Sequence, residues 1–129
     1  ENQLCTEDFA GHLAHNANLS AKAIMAIAGY GRLAEMLNKP EEAKKFTEMA
    51  KRMAIEWERR ADDGDHYRLA FDMPGTWSQK YNFVWDKVLG LNILPDRIMK
   101  KEVTFYLKTQ NKYGLPLDNR FTWGKTDDT

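Results

Sequence analysis

The 129-residue chain has a single cysteine, Cys5, so no disulfide can close within it and no cysteine-based zinc cage can form. It has no surplus of either charge, because Lys plus Arg and Asp plus Glu are both 19. Neutrality leaves no global field to draw the chain to nucleic acid or to an anionic membrane surface. Long hydrophobic runs are missing as well. The longest strongly apolar stretch is about residues 21–28, far short of the ~20 residues a membrane span needs. No signal peptide is legible, and the first residue is not Met. We expect an excised section of a longer protein, with any leader or lipidation signal lying upstream. What is present is 43% hydrophobic residues at a single-domain length, enough to build a core.

Those apolar residues recur at helical spacing. In residues 75–92, GTWSQKYNFVWDKVLGLN, the residues Trp77, Tyr81, Val84, Trp85, Val88 and Leu89 fall on one helical face. Phe83 stands on the other side among Gln79, Lys80, Asn82, Asp86 and Lys87. The mixture predicts a central helix whose polar members are held in a network rather than washed by solvent. Thr76 or Ser78 is the predicted N-cap.

Residues 1–17 have no clean period and read as a structured loop with a helical turn. Asn18 or Ser20 is expected to cap a helix over 21–37 that is apolar nearly all round in its first two turns, hence an inner helix. Asn38-Lys39-Pro40 stops it and starts the next, with Pro40 in the first turn and Glu41 and Glu42 at the positive end of the dipole. That second helix, 40–61, has Ala43, Phe46, Met49, Ala50, Met53, Ala54 and Trp57 on one stripe and charges elsewhere, so it is an outer helix with one wet face. Residues 66–72 alternate weakly, enough for at most a short strand. A further helix to about Gln110 has Ile98, Met99, Val103, Tyr106 and Leu107 as its apolar side.

The fold class is therefore all-α, built of antiparallel helical hairpins over about 18–61 and 76–110 and joined by polar loops at 1–17, 62–75 and 111–129. The repeating order of inner helix, short turn, outer helix and long loop sends every long loop to one end. Segments 5–18, 62–78 and 113–120 should then share a face. The N-termini of both inner helices would point at that face, suited to a carboxylate or oxyanion. A tetratricopeptide array is excluded because no second copy of its pattern follows at the required period.

Several residues could carry chemistry. Asp8, His12 and His15 have helical spacing; they read as hydrogen-bonded loop residues, as an acid/base pair of Asp8 with His12, or as part of a metal site lacking its third ligand. Cys5 beside a histidine could be a nucleophile, although a lone cysteine near a terminus is usually inert. Asn18-Leu19-Ser20 matches the glycosylation sequon. Trp77 sits where loop meets helix and could line a pocket. Lys80 and Asp86, if buried, must be paired, either as a structural ion pair or as ligand-binding groups. Asp118-Asn119-Arg120 is a dense polar triplet whose arginine could grip a carboxylate bidentately or simply occupy a solvated loop tip. No cofactor is called for.

Three stretches carry a family resemblance: DFAGHLAHNANLSAKAIMAIAGYGRLAEML, ADDGDHYRLAFDMPGTWSQKYNFVWDKVLGLNILP and QNKYGLPLDNR. Over roughly residues 4–120 the chain resembles the C-terminal region of the glutaminase A family of fungi and Bacteroides-like bacteria. The resemblance implies an (α/α) toroid of the six-hairpin glycosidase type, of which this chain would be a partial ring. It also implies hydrolysis of glutamine to glutamate and ammonia by a secreted or periplasmic protein. Under that reading Asp8 and His12 would activate a water, while Trp77, Lys80, Asp118, Asn119 and Arg120 would hold the substrate. The isolated section is expected to be inactive and to self-associate through its uncovered faces. The alternatives are a glycoside-hydrolase-like toroid, with Asp8, Asp63, Asp65, Asp86 and Asp118 as candidate acids, or a non-catalytic helical scaffold.

Overall fold

The structure, a computed structural model, describes residues 13–122. Helix α1 (Ala17–Met36) and helix α2 (Pro40–Ala61) form a long hairpin, followed by a 3-10 turn (Tyr81–Phe83), a short helix α3 (Val84–Val88) and helix α4 (Asp96–Thr109). The described residues contain no strand; isolated antiparallel bridges join Asn16 to Ala70, Asp62 to Tyr67 and Ser78 to Asp118.

The first hairpin is built from small residues at its seam. Ala21, Ala28, Ala34, Ala50 and Ala54 are buried between or beneath the helices. At Gly31 the helices come so close that a Cβ would lie 3.3 Å from the Ala43 carbonyl and 3.0 Å from Thr47 Oγ1. Pro40 opens α2, with Glu41 and Glu42 in the first turn and Arg59 and Arg60 in the last, all matched to the helix dipole. Asn16 caps α1 by accepting the Leu19 amide at 2.9 Å. The helix thus starts before the expected cap residues. Asn18 is instead a buried helical residue whose Oδ1 accepts the Asn82 amide at 3.3 Å, which removes it as an accessible glycosylation site. The outer part of α1 is less covered than its apolar sequence implies, with Leu33, Met36 and Leu37 exposed.

Residues 75–92 do not form one helix. Segment 76–80 has no helix, Ser78 pairs with Asp118 in an antiparallel bridge, and helical backbone begins only at Tyr81. This course is held because the Trp77, Gln79 and Lys80 amides go to Asn119 Oδ1 (3.0 Å), the Leu117 carbonyl (2.7 Å) and Tyr106 Oη (2.8 Å) rather than to a preceding turn. The orientation is also reversed. Phe83 and Asp86 are 0% and 1% exposed, whereas Val84, Trp85, Val88 and Leu89 are 46–64% exposed. From Val84 onward the apolar face lies outside, while Trp77 is buried and the polar residues Ser78, Gln79, Lys80, Asn82 and Asp86 lie inside. A similar exchange occurs on α4, where Ile98 is buried but Val103 and Leu107 are exposed and Glu102 takes a buried position.

Trp57 joins the two halves. Its indole packs on Tyr67 and Phe83, with centroids 5.1 and 4.6 Å away, and its N–H donates to the Ala17 carbonyl at 2.8 Å. At the surface Arg97 of α4 forks onto Glu58 of α2 (2.8 and 2.6 Å), and Lys101 pairs with Asp62. The Arg97 and Lys101 contacts hold the carboxyls of Glu58 and Asp62 below the usual range.

Candidate functional site

The long segment 62–80 is the centre of the loop face. On one flank it pairs with the residues leading into α1, through Phe71 N–H to the His15 carbonyl (3.1 Å) and Ala17 N–H to the Leu69 carbonyl (2.9 Å). On the other it crosses 115–119: the Gln79 side-chain amide reaches the Leu115 and Pro116 carbonyls at 3.0 and 3.2 Å, and the Asn119 amide donates to the Trp77 carbonyl at 3.3 Å. Internally, Asp63 accepts from the Gly75 amide (2.6 Å) and Arg68 Nε (3.2 Å). Burial pushes the Asp63 carboxyl up, but those two partners outweigh it and hold the group below its ordinary range. Gly75 has φ +75°, a left-handed conformation that favours glycine at this turn. His66 Nδ1 lies 2.7 Å from Asp65 and Nε2 lies 3.1 Å from the Thr76 carbonyl, while its ring stacks on Phe105 of α4.

Beneath the crossing is a buried charge cluster. Lys80 Nζ donates to the Tyr67 carbonyl (2.9 Å) and the Ser78 carbonyl (2.7 Å), and stands 3.5 Å from Glu102. Glu102 also accepts the Tyr67 amide at 2.9 Å and the Tyr106 hydroxyl. Burial drives the Lys80 pKa down to about 8 against the opposing pull of Glu102, and burial together with Glu102 keeps the Tyr106 phenol well above its ordinary value. Ser78 Oγ is a buried side-chain oxygen without a hydrogen-bond partner among the described residues.

The predicted site residues fall into three groups. Asp8 and His12 lie outside the described residues. Trp77, Asp118, Asn119 and Arg120 come together: Trp77 is buried against Phe105, Asn119 receives the Trp77 amide, and Arg120 forks onto Asp118 at 3.0 and 2.6 Å. Lys80 lies below them with its three donor directions turned to internal acceptors. Lys80 and Asp86 are both buried and paired, but not with each other; Asp86 accepts the Ile93 and Leu94 amides at 2.8 and 3.4 Å and pins the turn into α4. Of the two expected inner-helix N-termini, that of α1 lies where Asn16 bridges Ala70, whereas the second helical stretch begins as a 3-10 turn at Tyr81 and continues only as the five-residue α3.

Two features escaped sequence reasoning. Glu102 and Tyr106 carry the buried cluster, and their signal was an acidic residue on the apolar stripe of α4, one turn after Ile98 and one turn before Tyr106. The other is a cavity of about 330 Å³ at the start of α1, between Asn16, Leu19, Ile24, Trp57, Arg60 and Phe71. It assembles residues from three distant stretches, and Arg60 sits over the Phe71 ring at 4.4 Å. Among the described residues no three His, Cys, Asp or Glu side chains converge as metal ligands, and no helix is long and apolar enough to cross a membrane.

Comparison with known proteins gives this arrangement a family. Glutaminase A of Aspergillus oryzae is 34% identical over 130 residues, covering 98% of this chain and 19% of that protein. A protein named probable glutaminase from Arthroderma benhamiae is 29% identical over 155 residues, covering 98% of this chain and 18% of its own length. The chain thus spans about a fifth of the curated relatives it matches. No solved structure matches it. The model of the glutaminase A six helical-hairpin domain matches residues 1–129, and the chain belongs to that family.

Proposed function

We propose that this chain is a section of a glutaminase A-like amidohydrolase that converts glutamine to glutamate and ammonia, with its loop face forming one wall of the substrate site. The observation that carries the reading is the likeness to a protein named glutaminase A across 98% of the chain. Trp77, Asp118, Asn119 and Arg120 are the wall, held at one crossing by the contacts between 77–79 and 115–119. Asp8 with His12 activates the attacking water, and the protein works outside the cytoplasm, secreted or periplasmic. The exposed faces of α1 and α3 are seams covered by the remaining hairpins of the six-hairpin domain, so the section alone does not turn over substrate and self-associates instead.

The sugar-cleaving alternative draws no support from the described carboxylates. That chemistry needs two facing acids, and among the described candidates Asp86 is committed to the Ile93 and Leu94 amides and Asp63 and Asp65 to Gly75, Arg68 and His66, so none of them stands as a second acid beside Asp118. Assay of the full-length parent on L-glutamine and on a glycan panel decides between the two. Ammonia release is expected; sugar release without ammonia would overturn the reading. Asp8→Asn in that protein should lower kcat by ~10²–10⁴-fold, the range of a lost general base, and unchanged ammonia release removes Asp8 from the mechanism.

A further inference from the structure

We propose that Lys80 and Glu102 are positioning residues of the glutamine site, a buried clamp that fixes the crossing of 77–79 over 115–119 and thereby the presentation of Asn119 and Arg120. The inference rests on the amidohydrolase reading for its substrate and on geometry for its action. Lys80 does not touch substrate. Its ammonium ties the strip to the stretch at 67 by binding the Ser78 carbonyl within the strip and the Tyr67 carbonyl outside it, at 2.7 and 2.9 Å. Glu102 closes the same ring from α4 by taking the Tyr67 amide, while the Tyr106 hydroxyl between them donates to Glu102 and accepts the Lys80 amide at 2.8 Å. Three separate stretches, at 67, 78–80 and 102–106, are thus locked by one ion pair.

The crossing begins within a residue of the clamp. Gln79, between Ser78 and Lys80, gives its amide to Leu117 at 2.7 Å and its side chain to Leu115 and Pro116. Trp77, next to Ser78, exchanges bonds with Asn119 in both directions. A shift of the strip therefore moves the Asp118-Asn119-Arg120 triplet with it. The residues facing Lys80 with a charge or a titratable hydroxyl are Glu102 and Tyr106 from α4.

The test compares Lys80→Met, Lys80→Arg and the double variant Lys80→Met with Glu102→Leu in the full-length parent. Ammonia release is followed as KM and kcat separately, beside melting temperature and amide hydrogen exchange at Gln79 and Asn119. The double variant should regain stability lost by Lys80→Met, because replacing both members of a buried ion pair by apolar groups is often neutral or better. KM should stay raised by about tenfold or more with kcat changed far less, since displaced binding groups weaken substrate binding. Lys80→Arg should fold and also raise KM, because a planar fork does not fit a point-charge site. A double variant or Lys80→Arg with wild-type KM would overturn the proposal and leave the pair a scaffold element. If the parent releases no ammonia, the amidohydrolase reading falls by itself. The clamp is then judged by exchange: faster exchange at Gln79 and Asn119 in the variants supports it, and unchanged exchange overturns it.

Discussion

The two halves of the chain bury different chemistry. The α1–α2 hairpin is held by buried alanines, Ile24, Met25 and Trp57, with its charges outside. The region from 62 to 120 encloses Lys80, Glu102, Asp86, Gln79 and Asn82, and leaves Val84, Trp85, Val88 and Leu89 outside. Apolar packing is non-directional and tolerates sliding, whereas a buried polar network is satisfied only in one arrangement. The first half is thus a support, and the second is a segment whose irregular course is specified residue by residue. Active-site walls are commonly built from such loops on a rigid scaffold.

The largest disruption should come where the halves meet. Trp57→Ala removes packing on Tyr67 and Phe83 and the bond to Ala17, and should cost roughly 3–5 kcal/mol in chemical denaturation. A loss under about 1 kcal/mol would show that the halves are not coupled through it. Next, Glu102→Leu leaves Lys80 buried without its counter-charge and strips the acceptor from Tyr67 and Tyr106. It should cost about 3–5 kcal/mol, the range for breaking a buried pair, and adding Lys80→Met should recover most of it. Failure to recover would mean that the carboxylate matters apart from the lysine.

A smaller effect separates the halves by pH. Unfolded Lys80 keeps its proton to about 10.5, while the folded protein releases it near 8. Between those values the unfolded chain binds more protons, so this group makes stability rise with pH. The Tyr67 and Tyr106 phenols, held above 10 in the fold, act in the opposite sense once unfolded tyrosine ionises. The gain therefore belongs to about pH 8–10. Urea denaturation across that window should show a rise in wild type and a flatter curve in Lys80→Met; parallel curves would contradict the assignment. Smallest in stability, Val88→Lys with Leu89→Lys should change folding by within about 0.5 kcal/mol, as exposed positions do. The same pair should abolish self-association of the 129-residue chain in light scattering, and a wild-type chain that is already monomeric would remove the seam from that face.

The contrast also explains what could be read from the residues. The α1–α2 hairpin was legible because its apolar stripe, Pro40 and the acidic first turn all agree with the same helix. In 75–92 the periodicity was real, but periodicity defines a face without saying whether the core lies on it. Phe83 alone on the polar side was the clue, since one buried aromatic among amides and charges needs partners from elsewhere. Phe83 finds Trp57, and the partners of Gln79, Lys80 and Asn82, namely Asn18, Glu102, Tyr106 and 115–117, are likewise 20 or more positions distant, so no local spacing reveals them. The grouping of Trp77 with Asp118-Asn119-Arg120 was legible as one loop face, while the enclosure of Lys80 was not.

The most direct test is amide hydrogen exchange on the 129-residue chain. The Tyr67, Gln79 and Lys80 amides donate to Glu102, Leu117 and Tyr106 outside any helix or strand. They should be protected as strongly as Ala50 and Ala54 in the core of α2. Exchange at the rates of an open loop, with α2 still protected, would contradict the claim that the second half is a specified polar core.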